Sequence, residues 1–271
     1  MGRAMAVRQI RAGGAISAKV SAIFAGTALL LAPVATTCSA ARDTAGTVAG
    51  EKPSIFTNGK TTIRISGARV KLESTERGGY WSMEAKIKSV REVGGIMMLI
   101  IDPRGAEMGG IVVPADALTV NNMTDAGAPE GKVSIIIMPD SESLAGMKVR
   151  MVHEFTHALV SGYVNDAGLG RPSETVKEAI AYAAQIAYGD AHAGFDDLLG
   201  TLAMATGEDR VVERVARNLV GELAASLGKD PRSAGGRELR DAALAFLDKI
   251  CMHEFGVPFA QVADTSLYSN L

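Results

Sequence analysis

The hydrophobic pattern of the chain changes period at Pro139, and that change constrains the fold more than any other feature. From residue 54 to 138 apolar residues alternate with polar ones or gather in short runs. "TTIRISGARVKLES" alternates, "YWSMEAKIKSV" does so loosely, and "GGIMMLIIDP", "GGIVVPADALTV" and "GKVSIIIMPD" are short buried-strand patterns punctuated by Gly, Pro, Asn and Asp. A mostly antiparallel sheet is expected, with "NNMTDAGAPEG" as a turn-rich loop. After Pro139 the period becomes helical. "DSESLAGMKVRMVHEFTHALVSG" opens on an Asp or Ser cap and is expected to end at Gly162. "RPSETVKEAIAYAAQIAYG" is a second helix, capped at Ser173 and closed by Gly189, and three more are predicted over 194–205, 208–227 and 236–255. The expected class is α+β, with a β-rich part over 54–139 and a helical part over 140–271.

The first residues differ from the rest. Arg3, Arg8, Arg11 and Lys19 precede any acidic residue, and "VSAIFAGTALLLAPVATT" is apolar with small residues after it. A basic start, an apolar centre and a small-residue cleavage site make residues 1–41 a secretory signal, with cleavage before Arg42. Residues 42–53 then read as a small-residue linker. Cys38 follows the apolar stretch and offers an acylation site, so the expected location is secreted or cell-envelope, with a lipid anchor as the alternative ending of the signal. The membrane is otherwise no partner. Net charge is −2, or −6 once the four positive charges of the signal are removed, which excludes a nucleic-acid polyanion as the expected partner. Removing Cys38 leaves Cys251 without a disulfide partner, and its apolar surroundings place it inside a helix.

Residues 153–157 read "HEFTH", which puts two of the four histidines within five positions. On a helix His153 and His157 stack at i and i+4, so both imidazoles can reach one tetrahedral ion. Glu154 lies one step round, near the metal but angled away from it, where it can hold a water as general base.

A catalytic zinc needs a third protein ligand and an open fourth position. A third His six residues after His157 is ruled out, because Tyr163 stands there. Glu178 is the better candidate. It lies five residues after Ser173, as His157 lies five before Gly162, so in an antiparallel helix pair both fall about 7–8 Å from the connection. Glu174, one turn earlier, is the alternative ligand.

"HEFTHAL" followed by "KEAIAYAA" resembles the gluzincin metallopeptidases, the thermolysin- and aminopeptidase-like branch of the zincins. The matching residues are His153, Glu154, His157 and Glu178, with Ala179 and Ala181 after the glutamate, about thirty residues in all. The resemblance implies a zincin-like fold, one Zn2+ per chain, and a peptide or protein substrate. Zinc would activate a water and polarise the scissile carbonyl, with Glu154 taking the proton and passing it to the leaving amine. It also implies a Tyr or His donor to the oxyanion. Tyr163, Tyr182, Tyr188, His192 and His253 are available, and His253 and Tyr182 are favoured. A substrate strand would add to a sheet edge in "GGIVV" or "KVSIII".

One departure stands out. Thermolysin-like enzymes carry an Asp four residues after the ligand Glu to orient a ligand His, and Tyr182 occupies that place. Asp190, Asp196 or a backbone carbonyl would then have to accept from the histidine. The leading expectation is an exported zinc peptidase. The missing Asp keeps a second one alive, a non-catalytic zincin-fold envelope protein with a structural or binding role.

Overall fold

The computed structural model describes residues 53–75, 80–102, 107–109, 117–140, 143–204 and 210–271. The expected signal, Cys38 and all of the linker but Pro53 lie outside them. The class is α+β. Eight strands come first: β1 Ser54–Thr57, β2 Thr61–Ser66, β3 Arg69–Ser74, β4 Trp81–Val93, β5 Ile96–Ile101, β6 Glu107–Gly109, β7 Leu118–Asp125 and β8 Ala128–Pro139. The helices follow: α1 Leu144–Asp166, α2 Glu174–Tyr188, α3 Ala191–Met204, α4 Arg210–Leu227, α5 Gly236–Phe255 and the single turn α6 Phe259–Val262.

The strands close on themselves. Pairing runs β1–β2–β3–β4–β5–β8–β7 and returns to β1, while the short β6 lies beside β4. Every pair is antiparallel except β5 with β8. Period-two alternation sends Phe56, Ile63, Leu72, Met83, Leu99, Met123 and Ile135 into one cluster, to which each of the seven ring strands contributes. On β5 and β8 the intervening residues are apolar as well. Met98, Ile100, Ile136 and Met138 pack with Met151, Val152 and Phe155 of α1. Burial on both faces explains why these two strands read as unbroken apolar runs and why they form the parallel pair. Gly94 and Gly95, at φ 57° and 76°, make the tight turn that joins β4 to β5.

Three expectations change. "KVSIII" belongs to β8, which is hydrogen-bonded on both sides, so it offers no free edge; in "GGIVV" only Gly109 is described. "NNMTDAGAPEG" is not a loop but the end of β7, a turn and the start of β8. Its polar residues serve a bulge between Val120 and Met123, where Asn122 takes φ 59°, a conformation that Asn tolerates better than most residues. Helix α1 does not stop at Gly162. It runs to Asp166, because the left-handed glycine is Gly168 at φ 64°. Leu169 N–H donates to the Val164 carbonyl and Gly168 N–H to that of Asn165, the paired bonds that close a helix around such a glycine.

Ser143 and Ser173 cap α1 and α2 by accepting from the N–H groups of Gly146 and Val176. Cys251 is buried in α5, and burial pushes its thiol up to about 12. No described helix is long and apolar enough to cross a membrane.

Candidate metal centre

Helix α1 lies against β7. Asn121 donates to Ser161 Oγ at 3.2 Å and accepts from Ser134 Oγ at 2.7 Å, while Asn165 donates to Asn122 Oδ1 at 2.8 Å. The bulge residues thus tie the strand to the helix. One residue pair further along, the Thr119 hydroxyl donates to the Glu154 carboxylate and lies 3.3 Å from the Glu154 carbonyl. Sequence reasoning had no signal for Thr119, because its partner is 35 positions away.

On the next face of α1, His153 Nε2 and His157 Nε2 are 3.2 Å apart. Helix α2 brings Glu178 to both, with Oε2 3.4 Å from His153 and Oε1 3.5 Å from His157. The equal-distance premise fails, since α1 outlasts Gly162, but Glu178 still meets the histidines. Glu174 does not join them; its side chain is 71% exposed and paired with Lys177 at 2.6 Å.

These spacings suit a metal ion. Ligand atoms at about 2.0–2.1 Å from a tetrahedral centre stand about 3.3–3.4 Å from one another, a range that the three separations of 3.2, 3.4 and 3.5 Å bracket. Two imidazoles and a carboxylate form a donor set that suits zinc and its neighbours. Side-chain exposures of 14%, 16% and 22% leave the cluster largely shielded from solvent.

The electrostatics fit the same role. Burial alone would lower His153, but its bond to Glu178 and the Glu154 and Glu178 charges outweigh that and raise it. His157 is lowered to about 4, by burial first and then by the His153 charge. Burial raises Glu178, yet the bond to His153 and the His157 charge bring it below its ordinary value.

Tyr182 is brought to the cluster, with its ring edge-on to His153 at 4.7 Å and its hydroxyl 3.4 Å from Thr201 Oγ1. His253 lies exposed in the last turn of α5. Tyr163 packs on Phe255, Tyr188 stacks on Tyr268, and His192 is exposed beside Gly236. Neither Asp190 nor Asp196 accepts from a ligand histidine. Asp190 caps α3 through Ala193 N–H, and Asp196 is exposed. The partner of His153 Nδ1 is Gln185 Oε1 at 2.9 Å, which sequence reasoning missed.

No protein-family model matches the chain, nor does any curated protein or solved structure.

Proposed function

We propose that the protein is an exported, single-zinc peptidase with a zincin-like core. One observation carries this reading: His153, His157 and Glu178 hold their ligand atoms 3.2–3.5 Å apart, with the Glu154 carboxylate on the adjacent residue. A zinc ion bound there supplies Lewis acidity and lowers the pKa of a water molecule. His153, His157 and Glu178 would hold the ion. Glu154 is the general base, taking a proton from the attacking water and returning it to the leaving amine. Thr119 steadies the carboxylate of Glu154 from the strand side. The zincin-like reading is supported by an active-site helix beside a strand and a third ligand on the following helix. Export is read from residues 1–41, which places the enzyme in the cell envelope or outside it.

The test is Glu154→Gln. The purified protein should bind about one zinc, and the variant should keep that zinc while hydrolysis of a mixed peptide library falls by roughly 10²–10⁴-fold. Zinc binding by the wild type without cleavage of any peptide would favour the binding role instead.

A further inference from the structure

His153 serves as a ligand only if Nε2 presents a lone pair to the cluster, yet a neutral imidazole has two tautomers. The choice is made two turns along α2 from Glu178. Gln185 is 1% exposed, so its amide must find partners inside the protein. Its Nε2 lies 2.8 Å from the Gly194 carbonyl and 3.1 Å from Asp197 Oδ2, both supplied by α3. Backbone carbonyl and carboxylate oxygens accept, so the NH2 end of the amide has to face them. Oε1 is thereby turned to His153 Nδ1 at 2.9 Å. An amide oxygen cannot donate, so Nδ1 carries the hydrogen. The lone pair then sits on Nε2, the atom that faces His157 and Glu178.

We infer that Gln185 is the positioning residue of the metal centre: fixed by Gly194 and Asp197, it sets the tautomer and ring orientation of His153 and takes the place of the carboxylate expected at position 182. The inference rests on the metal-site reading above. Tyr182, one turn nearer Glu178, buttresses the same ring by edge contact. Position 185 therefore supplies the hydrogen bond and position 182 the packing. The atom that accepts from His153 is a neutral amide oxygen, with the Asp197 carboxylate one hydrogen bond behind it.

Zinc affinity, measured by competition with a chromophoric chelator, tests this. Gln185→Met keeps the volume but removes the acceptor and should weaken zinc about 10–100-fold. Gln185→Glu combined with Asp197→Asn keeps an oxygen on His153 Nδ1 and supplies an amide donor to the other carboxylate oxygen, so it should weaken zinc less than Gln185→Met, whereas a packing role alone would affect both variants alike. If Gln185→Met does not fold, 15N-histidine spectra of the zinc-loaded wild type decide, with Nδ1 protonated and Nε2 metal-bound at His153 as the expected signature. Unchanged affinity in Gln185→Met, equal weakening in both variants, or the opposite tautomer overturns the assignment and leaves the metal site standing. A wild type that binds no zinc overturns both.

Discussion

In the metal-free cluster the two histidines shift in opposite directions, and His157 governs the acid side. Its folded value, about 4 against an ordinary 6.5, means that the fold favours the neutral ring. The unfolded chain therefore takes up a proton first as pH falls. Stability that is fully present above 6.5 is lost between 6.5 and about 4, on the order of 3 kcal/mol for a shift of this size. Glu178, also lowered, adds to the loss once pH falls through its folded value. His153 has the opposite sign, since its raised value stabilises the protonated, acid-side form and that contribution fades as pH rises through it. In chelator, wild type should lose denaturant stability from pH 7 to 4.5 more steeply than His157→Gln. Equal slopes would contradict the assignment. The two histidines were legible in the sequence because helical spacing alone puts both within reach of one point, whereas Glu178 was reached through an antiparallel helix pair whose assumed end moved and through the family resemblance. Gln185 was not legible, because its role depends on a carbonyl of another helix and glutamine carries no titratable signature.

At the scale of elements, the approach of α3 to α2 makes the Gln185 bond available, and Gly194 permits that approach. A Cβ there would stand 2.9 Å from the Gln185 carbonyl oxygen and 3.2 Å from Ile186 Cα, both backbone atoms that cannot swing aside. Gly194→Ala should therefore push the helices apart, destabilise the fold by about 1–3 kcal/mol, and weaken zinc by drawing the Gly194 carbonyl off Gln185. Thermal melts with and without zinc check both effects, and a variant with unchanged stability would show that the helices have slack. Most elements were legible, since period-two and 3.6-residue patterns are local and Ser173 and Gly189 bound α2 where expected. The ends that moved were set by non-local needs. Gly162 and Gly168 look alike in sequence, and only the chain path after Asp166 selects the left-handed one. The Asn121–Asn122 pair reads as loop because the side chains that answer it lie on α1.

At the scale of the whole molecule, ring closure was illegible, because pairing β1 with β7 joins residues nearly seventy positions apart and leaves no local mark. Its consequence is that α1 belongs to both halves. Phe155, Val152 and Met151 sit in one cluster with the outer face of β5 and β8 and with Ile180, Ala183 and Ala184 of α2. Neither half can unfold without stripping that helix of a buried face, so strands and helices should melt together. Pulsed hydrogen exchange at the paired amides of β5 and β8 reports the ring, while ellipticity at 222 nm reports the helices. The two probes should give one coincident midpoint. On the proposed function zinc would bind the folded pair α1–α2 through His153, His157 and Glu178, and it should then raise both readouts equally. At free zinc of about 100 times Kd the gain is about 2.7 kcal/mol, or roughly 5–10 °C for a protein of this size. Chelation should reverse the shift, and His157→Ala should abolish it. A ring transition that separates from the helical one and ignores zinc would show that the ring is stable without α1.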